Sequence, residues 1–483
     1  MRQVAQWDGV ESIYFDAPLK YHNYDAGQIT NRHTVHDQLA LKGKGVTIAV
    51  LDSGVDATHP DLPRGTKVVH NVKLLGDLGV AGATAVIENV PNTDTSSGHG
   101  THVAGTVGGT GEASLNDARR PRAHDGIAPD SFIVGLGAGE AISILYAIQG
   151  FDYALANREK YSIDIITNSW GSAAGPYDPS NPINKASYAA YREGMVVAFA
   201  AGNDGPGDDT LNPYAVVPWV INVGSGTKAK DISDFSSRGV EGDFYKHIGL
   251  IAPGSSNIST RAPNTPLPLT GPVIDPANPT YNAYYARLSG TSMATPFVAG
   301  SAAVLLEANP NLSPDEIENI LVSTASPMND PFHAVGGGYI DVLAAVDMAT
   351  KLTGQRGAVL QGVTRWSSKG AWIIANENDP LISYTAGWTN ATGTNATDST
   401  YKRATVTKKS VPRLMLAFEA RDAHLLYPQD ARGGVAEVYV DGRKVAPISF
   451  YSVSPTRASL PLTDLGAGIH KVELRGISGN AYF

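Results

Sequence analysis

The sequence predicts an α/β fold with a mostly parallel sheet flanked by helices, followed by an all-β sandwich. Between about residues 45 and 254, short apolar runs alternate with segments that have helical spacing. Such strand–helix–strand alternation is typical of a parallel sheet with right-handed crossovers. Beyond Lys351 the chain changes to short strands separated by turn residues, which is typical of an antiparallel sandwich.

The composition is that of a globular chain. With 483 residues the chain is long enough for two or three domains, and its 42% hydrophobic content is sufficient for a hydrophobic core. The net charge of −9 and the lack of a long basic run argue against a nucleic-acid partner. No window of about 18 uninterrupted apolar residues occurs, so no membrane span is predicted. The absence of cysteine excludes disulfides, thiolate metal sites and thiol nucleophiles.

The first strong strand signal is the apolar run at 45–51, whose length suits a central strand buried on both faces. The run ends in Asp52-Ser53-Gly54. A carboxylate at the carboxyl end of a buried parallel strand lies where open α/β sheets place their binding crevice. Taken alone, however, the tripeptide is explained better by a turn aspartate that caps the next element.

Two histidines three residues apart open the next predicted helix, in Gly98-His99-Gly100-Thr101-His102-Val103-Ala104-Gly105. That spacing puts both rings on one face of a helix, as a zinc site would require. No Glu lies between them and the chain has no cysteine, so zinc is the weaker interpretation. A general base at the helix mouth, His99, is the better one, with His102 as its neighbour inside the helix.

Later strands collect further polar residues at the same edge of the predicted sheet. Short, mainly apolar runs occur at 131–136, 164–171, 194–203, 219–224 and 248–254, with helices predicted at 140–156 and near 186–193. Several of these runs close on polar or glycine residues, so Ser169 and Asn203 should lie along one rim with Asp52. A capping box, Ser313-Pro314-Asp315-Glu316, opens a helix that we interpret as scaffold.

The stretch from Leu288 to Gly300 indicates a serine at the mouth of a helix. Gly290 allows a tight turn and Pro296 suits the first turn of a helix, so Ser292 is expected at the helix N-terminus. Unpaired N–H groups and the macrodipole can stabilise an anion there, as acyl transfer requires. Considered alone, the stretch fits ordinary cap residues equally well.

Three separated blocks resemble the catalytic blocks of subtilisin-like serine proteases, in that family's order of Asp, His and Ser. The blocks are Asp52-Ser53-Gly54, Gly98 to Thr106, and Gly290-Thr291-Ser292-Met293-Ala294-Thr295-Pro296. The likeness runs from about His33 to Ala349. It implies that Ser292 is the nucleophile, that His99 is the base that takes its proton, and that Asp52 holds the imidazole.

The same resemblance implies an oxyanion hole and a peptide-binding cleft. Asn203 matches the family's oxyanion-hole asparagine, which would act with the backbone N–H of Ser292. The resemblance further implies that one short segment pairs with the backbone of a protein or peptide substrate and that another lines the side-chain pocket. These segments are Ser169-Trp170-Gly171 and Ala200-Ala201-Gly202, respectively. Because Trp170 is larger than the family's usual residue, we expect it to narrow or reshape a subsite.

The resemblance implies no cofactor for the chemistry and leaves a structural calcium ion open. Many relatives wrap such an ion in a short loop, which the segment Thr110 to His124 replaces here. Asp61 matches an aspartate that often binds this ion, but its partners are not evident from the sequence. The metal ligands therefore stay unassigned.

The domain prediction divides the chain into three parts. Gly9 to Phe15 resemble the last strand of the family's inhibitory propeptide, so we expect residues 1–25 to be the tail of a propeptide and the protein to be secreted, with its signal sequence upstream. An irregular N-terminal arm is the alternative. Residues 26–352 are the predicted peptidase domain.

Residues 353–483 are the predicted sandwich. They are similar to jelly-roll modules of secreted bacterial hydrolases, on the evidence of one short motif, Val438-Tyr439-Val440-Asp441-Gly442. Carbohydrate or surface binding, substrate tethering and stabilisation are all compatible with such a module. Aromatic residues such as Trp388 and Tyr401 would support sugar stacking if exposed, although core aromatics are the commoner case.

We therefore expect a secreted serine endopeptidase that forms an acyl-enzyme on Ser292. An esterase with the same machinery is one rival, because an oxyanion hole does not distinguish an ester from an amide. An inactive protease fold that serves a binding sandwich is another. The complete set of Asp52, His99, Asn203 and Ser292 argues against inactivity, because an inert relative would be free to lose one of them.

Overall fold

The computed structural model describes residues 22–351 and parts of the chain beyond. Within 22–351 it leaves out 77–84, 140–141, 177, 179–180, 218, 242, 244–245, 264, 267–273 and 275–277. Beyond 351 it covers 382–384, 388–392, 400–405, 412–419, 423–452, 456–462, 469–478 and 480–482.

The first part of the molecule is built on one large sheet. In chain order its strands are β1 (Thr47–Asp52), β2 (Val68–Leu74), β3 (Val86–Ile87), β4 (Phe132–Gly137), β5 (Ile163–Asn168), β6 (Val196–Ala200), β7 (Ile221–Gly226) and β8 (Leu250–Pro253). Over the described residues the order is β3-β2-β4-β1-β5-β6-β7-β8, and every neighbouring pair is parallel except β2 with β3. The predicted, mostly parallel sheet is confirmed, with β1 in its middle.

Helices flank this sheet. They are α1 (His22–Ile29), α2 (Arg32–Gln38), α3 (His99–Gly108), α4 (Ile144–Ala156), α5 (Arg158–Tyr161), α6 (Pro182–Arg192), α7 (Thr291–Ala308), α8 (Pro314–Thr324), α9 (Phe332–Val335) and α10 (Val342–Lys351). The predicted capping box is present at the start of α8, where the Ser313 side chain accepts from the Glu316 N–H and the Glu316 side chain accepts from the Ser313 N–H.

Two apolar cores lie on opposite faces of the sheet. In β1, Ile48 belongs to a core shared with α7, α8 and α10, whereas Ala49 and Leu51 belong to a core shared with α4 and α6. Successive side chains of a strand point to opposite faces, so a central strand covered on both sides must be apolar throughout. Every residue of β1 is indeed buried, which explains the uninterrupted apolar run in the sequence.

The N-terminal helices α1 and α2 pack onto the body of the molecule. Ala26, Thr30 and Val35 are buried, and the N–H of Val342 donates to the Thr30 carbonyl at 2.9 Å. The expected domain boundary between residues 25 and 26 falls inside α1. The segment that resembles a propeptide strand, at residues 9–15, lies outside the described residues.

The strands beyond residue 381 are antiparallel, as the sequence predicts. They are β11 (Ile382–Tyr384), β12 (Thr389–Thr392), β13 (Thr400–Thr405), β14 (Arg413–Glu419), β15 (Ala423–Gln429), β16 (Val435–Val440), β17 (Arg443–Ser449), β18 (Thr456–Leu462), β19 (Ile469–Ser478) and β20 (Asn480–Tyr482). Before them, β9 (Asn257–Thr260) and β10 (Tyr285–Leu288) form a separate pair.

Over its described residues, this C-terminal part contains sheets of five, three and two strands. All three sheets contribute to one core, with Val438 and Val472 from the first, Ala481 from the second and Leu425 from the third. The hairpin predicted at Asp441-Gly442 joins β16 and β17, with both residues at positive φ. Trp388 is only partly buried and packs against this core, while the side chain of Tyr401 lies outside the described residues.

Candidate active site

Asp52 and His99 form a close pair above the centre of the sheet. Asp52 is the last residue of β1 and His99 is the first of α3. The two atoms Nδ1 of His99 and Oδ1 of Asp52 are 2.7 Å apart, and the same oxygen accepts the Ser53 N–H at 2.7 Å. The Asp52 side chain is buried, whereas 24% of the His99 side chain is exposed. The imidazole is thus bound to a buried carboxylate and is also partly exposed to solvent.

Glycine makes the close approach of α3 to β1 feasible. A Cβ on Gly100 would lie 2.2 Å from the Gly54 carbonyl oxygen and 3.0 Å from the Asp52 Cβ. Neither neighbour can move without shifting the strand end, so a larger residue at 100 would push the histidine away from its carboxylate. The glycine in the His-Gly-Thr-His sequence therefore has a direct structural reason.

The environment of His99 favours the protonated ring. Burial alone lowers the pKa of His99, but the charge and hydrogen bond of Asp52, with a further contribution from the Asp94 charge, raise it above the ordinary value. A carboxylate on Nδ1 leaves Nε2 as the nitrogen that can accept a proton. Such a ring is suited to take a proton from a nucleophile and to carry the charge during reaction.

Ser292 lies in the first turn of α7, as the sequence predicts. Its hydroxyl donates to the Ser169 carbonyl at 3.0 Å, and the Ser169 hydroxyl donates to the Ser292 carbonyl at 2.9 Å. Ser169 follows β5, the strand that pairs with β1. The serine is therefore fixed to the same rim of the sheet as Asp52.

The side-chain amide of Asn203 lies beside the start of α7. The Asn203 Oδ1 accepts from the N–H and hydroxyl of Thr291, at 2.9 and 3.0 Å, which leaves the Nδ2 group for another acceptor. A Cβ built on Gly290 would lie 3.6 Å from both Asn203 Nδ2 and Ser292 N. Two N–H groups close to one point are compatible with the oxyanion hole that the sequence predicts.

Asn212, which the sequence analysis missed, joins the two segments predicted to line the substrate cleft. Its buried amide Nδ2 donates to the Trp170 carbonyl at 3.1 Å and to the Ala200 carbonyl at 2.9 Å. A Cβ on Gly171 would lie 2.4 Å from the same amide nitrogen. The walls Ser169-Trp170-Gly171 and Ala200-Ala201-Gly202 are thus held at a fixed separation. In the sequence, Asn212 precedes a proline and resembles an ordinary turn residue.

The indole of Trp170 packs inward. Its Nε1–H donates to the Leu51 carbonyl at 2.8 Å, one residue before Asp52, and its ring packs edge-on against Phe199 at 5.1 Å. Tyr214 lies on the same ring at 5.9 Å. The side chain is half-buried, and it connects the predicted cleft segment to the end of β1.

His102 is arranged as a structural residue. The ring is buried inside α3, and its Nε2 lies 3.2 Å from the carbonyls of both Asn257 and Ala286. Burial, followed by the nearby His99, lowers the pKa of His102 to about 3, so the ring stays neutral. Within the described part of the chain, no group of three or more His, Asp or Glu side chains is placed to hold a metal ion.

The carboxylate of Asp61 is occupied by protein donors. Its Oδ1 accepts the Ala113 N–H at 2.8 Å and its Oδ2 accepts the Tyr285 hydroxyl at 2.7 Å. The Asp61 side chain is fully buried. Calcium requires several oxygen acceptors that face the ion together, so Asp61 in this arrangement does not fit a calcium ligand.

Comparison with known proteins gives a consistent result. The model of the subtilase family matches residues 43–362. Serine protease AprX of Bacillus subtilis (strain 168) is 30% identical over 348 residues, which cover 68% of this chain and 72% of AprX. Subtilisin DY of Bacillus licheniformis is 34% identical over 312 residues, which cover 63% of this chain and 92% of that protein.

Solved structures show the same likeness. Sphericase superimposes with a TM-score of 0.51 at 27% identity, and the match covers 64% of this chain and 97% of sphericase. The S41 Psychrophilic Protease gives a TM-score of 0.50 at 26% identity, with 64% and 97% covered. Fold, sequence and site geometry agree, and the chain belongs to the subtilase family of serine endopeptidases, which use an Asp-His-Ser triad.

Proposed function

We propose that this protein is a secreted endopeptidase that cleaves peptide bonds in proteins through an acyl-enzyme on Ser292. The observation that carries the proposal is the 2.7 Å contact between His99 Nδ1 and Asp52 Oδ1 beside a serine at the opening of α7. Asn203 adds a side-chain N–H donor next to that serine. These four side chains supply the nucleophile, the base, the group that orients the base and the oxyanion donor.

In the proposed reaction, a rotation about the Cα–Cβ bond of Ser292 moves its hydroxyl from the Ser169 carbonyl towards His99. The oxygen attacks the scissile carbonyl while His99 Nε2 takes the hydroxyl proton. Asp52 keeps the other ring nitrogen protonated and stabilises the imidazolium. The carbonyl oxygen becomes negative and accepts hydrogen bonds from Asn203 Nδ2 and Ser292 N.

Collapse of this intermediate breaks the C–N bond, and His99 returns its proton to the leaving amine. A water molecule then attacks the acyl-enzyme, with His99 again acting as the base, and releases the acid product and the free serine. Subtilases need no cofactor for this chemistry, and every proton in the scheme passes through His99.

We propose that an extended protein or peptide substrate lies between the two walls that Asn212 joins. The segment Ser169-Trp170-Gly171 would pair with the substrate backbone, and Ala200-Ala201-Gly202 would line the pocket for the side chain before the cut bond. Backbone pairing gives affinity for extended chains, and pockets add preference for particular side chains. Mass spectrometry of peptides cut from a mixed proteome would identify that preference.

The nucleophile is tested by labelling with a fluorophosphonate, which reacts with activated serines. We expect wild type to be labelled and Ser292→Ala not to be. The matched control is Ser289→Ala, because Ser289 precedes the same helix but its hydroxyl accepts the Ser256 N–H instead. Labelling that persists in Ser292→Ala would place the nucleophile elsewhere, and an unlabelled wild type would favour the inactive alternative.

Endopeptidase and esterase activity are separated by comparing substrates. We expect hydrolysis of both casein and a short-chain nitrophenyl ester, and loss of both in Ser292→Ala. Turnover of the ester alone would support the esterase alternative and contradict the proposed function.

We further propose that residues 1–25 are the tail of an inhibitory propeptide ahead of a peptidase domain at 26–352. Ala26 and Thr30 are buried, and the Thr30 carbonyl accepts the Val342 N–H, so the final cut should leave both residues in the active form, as a cut after residue 25 does. The N-terminus of the active form, determined by mass spectrometry, tests this. An N-terminus beyond Thr30 would contradict it.

The sandwich at 353–483 is proposed to tether the enzyme to a carbohydrate or other surface. Retention of the full chain, but not of a chain ending at Lys351, on insoluble polysaccharide would support this role. Equal retention of both would argue against it.

The proposed extracellular location rests on the resemblance of residues 9–15 to a propeptide strand. None of the described helices combines the length and apolar character of a bilayer span. Activity in the culture medium of the producing cells, and not in their lysate, is the expected result.

A structural calcium ion away from Asp61 also stays a proposal. A fall in Tm on adding EDTA would support it.

A further inference from the structure

Asp94 is a fully buried carboxylate for which the proposed mechanism so far has no use. It lies in the loop between β3 and α3 and exposes no surface. Its Oδ1 accepts from Ser53 Oγ at 3.0 Å and from Gly98 N at 2.8 Å. Its Oδ2 accepts from Thr101 N at 2.9 Å and from Thr101 Oγ1 at 2.7 Å. Four donors on one carboxylate leave it no freedom to turn.

These donors come from the two segments that carry the catalytic acid–base pair. Ser53 follows Asp52, while Gly98 and Thr101 flank His99. The Ser53 hydroxyl also accepts the Gly100 N–H at 2.8 Å, which adds a second connection between the segments. Asp94 therefore ties the end of β1 to the first turn of α3.

The start of α3 needs such a partner. Gly98, at the N-cap position, has no side chain to satisfy the free N–H groups of the first turn, and its φ is 87°. Asp94 satisfies two of them, those of Gly98 and Thr101, from outside the helix. A negative charge at a helix N-terminus also interacts favourably with the helix dipole. This carboxylate therefore holds the first turn of α3, the turn that carries His99, through three hydrogen bonds.

We propose that Asp94 is a positioning residue that holds the imidazole of His99 in register with Asp52. The inference rests on the proposed role of His99 as the base. Asp94 itself would touch neither the substrate nor the reacting atoms, and would act only through His99. Removing it should let the start of α3 shift relative to β1. A displacement of about 1 Å at a reacting group can cost on the order of 100-fold in rate.

The charged groups around His99 and Asp94 also support this role. His99 faces the carboxylates of Asp52 and Asp94 and the buried, neutral His102. Asp94 in turn faces the ammonium group of Lys73, which donates to the Thr93 carbonyl at 3.1 Å. Both carboxylates favour the charged imidazolium that forms in the transition state, so the loss of Asp94 should lower kcat more than it raises KM.

The first test is Asp94→Asn, which keeps the shape of the side chain but replaces one accepting oxygen with an NH₂ group that faces donors. We expect kcat to fall about 10- to 100-fold with KM changed less than about twofold. The acid limb of the kcat/KM profile should move to lower pH, because a carboxylate that favours the charged ring is lost. A purely structural role would not move this limb.

The matched control is Asp56→Asn. Asp56 is also buried, but its Oδ1 accepts from the N–H and hydroxyl of Thr58, at 3.0 and 2.6 Å, and its carboxylate has no bond to the His99 helix. We expect this variant to retain the wild-type kcat and acid limb. A loss equal to that of Asp94→Asn would show that any buried carboxylate in this region matters, and would overturn the specific role of Asp94.

Ser53→Ala gives a second, independent test that retains the Asp94 charge. It removes one of the four donors, so a smaller fall in kcat is expected, with the acid limb unmoved. If Asp94→Asn does not fold, the kcat of Ser53→Ala decides whether the inference about Asp94 holds. Wild-type kcat in every folded variant overturns the inference while the proposed function stands, whereas a wild type without fluorophosphonate labelling overturns the proposed function itself.

Discussion

At the scale of single residues, the proposed role of His99 as the base leads to a prediction about the pH dependence of activity. The pKa of His99 is raised because the carboxylate charges outweigh burial. A general base must be neutral, so activity should be lost as the pH falls through this raised pKa. We predict an acid limb in kcat/KM above about 6.5, the ordinary value for histidine. An acid limb clearly below that value, in a pH profile with a neutral peptide substrate, would contradict this.

Asn203 gives the second prediction at this scale. Asn203→Leu removes the Nδ2 donor with little change in size. We predict a loss of about 10²- to 10³-fold in kcat, the range known for the corresponding donor in subtilisin, with KM nearly unchanged. Asp204→Ala, at the next position, serves as the control and should keep kcat within about twofold. A similar kcat for Asn203→Leu and wild type would remove Asn203 from the oxyanion hole.

Met293 gives the third prediction at the scale of single residues. Its side chain is buried, and its sulfur lies 3.7 Å from the position of a Cβ on Gly290, close to the two proposed oxyanion donors. Oxidation to a sulfoxide would place a polar oxygen in this space. We predict that peroxide lowers kcat and that Met293→Leu is resistant. Full oxidation of Met293, verified by mass spectrometry, without loss of activity would refute this.

The sequence predicted the residues that lie in short contiguous motifs, and it missed those that act through long-range hydrogen bonds. Asp52, His99, Asn203 and Ser292 could be placed on one rim because each follows or opens an element with a clear apolar pattern. Asn212 could not, because nothing in its local sequence shows that its amide reaches the carbonyls of two separate segments. The catalytic roles of Asp52, His99, Asn203 and Ser292 are predictions that the variants test.

At the scale of elements, the loop after α3 is held by a tyrosine and an aspartate. Tyr285→Phe removes the hydroxyl that donates to Asp61 Oδ2 and leaves a buried carboxylate oxygen without that donor. We predict a loss of about 1–3 kcal/mol in the free energy of unfolding. Because the bond is between protein groups, the loss should be the same with calcium and with EDTA.

The neighbouring tyrosine supplies the control for this variant. Tyr284 is 37% exposed, so Tyr284→Phe should change stability by less than about 0.5 kcal/mol. Denaturant unfolding of both variants, each with and without EDTA, makes the comparison. A loss in Tyr285→Phe that appears only in EDTA would mean that calcium, and not the hydroxyl, governs this loop.

Element types were predicted better than element limits. The helix expected at 140–156 begins at Ile144, and the one expected near 186 begins at Pro182, where Asn181 caps it by accepting the Ile183 N–H. The apolar period locates the middle of a helix, whereas its ends depend on which side chains reach the free N–H groups. The strands were clearer, because a fully buried strand shows one uninterrupted apolar run.

At the scale of the whole molecule, a buried ionic network fastens α2 to the loop before β4. Arg32 is 1% exposed, and its Nη1 donates to Asp125 Oδ1 at 2.5 Å and to the Gly126 carbonyl at 3.1 Å. Arg120 joins the same oxygen of Asp125 at 3.0 Å. Arg32→Met should cost about 3–5 kcal/mol, because it leaves a buried carboxylate with less compensation. The exposed pair of Arg122 with Glu112 gives the control, and Arg122→Met should cost less than about 1 kcal/mol.

The same network makes stability depend on pH in a defined direction. The pKa of Asp125 lies far below its ordinary range, because the charges of Arg32, His36 and Arg120 outweigh burial. A depressed carboxylate pKa gives stability that is present above the unfolded value, about 3.9, and is lost as the pH falls towards the folded value. Urea unfolding of wild type and Arg32→Met at pH 7 and pH 3 measures this. We expect the wild type to lose more stability than Arg32→Met between the two pH values, because Arg32 is one of the charges that lower the pKa of Asp125. An equal loss in both proteins would contradict this.

The position of β1 in the middle of the sheet has a consequence for the life of the enzyme in the cell. Asp52 ends this strand, while Ser292 arrives only with α7, after every strand of the sheet has been synthesised. Contacts between such distant parts of a chain form late in folding. An incompletely synthesised or misfolded copy should therefore not cleave neighbouring proteins. Proteolytic activity would appear only after the whole peptidase domain has folded.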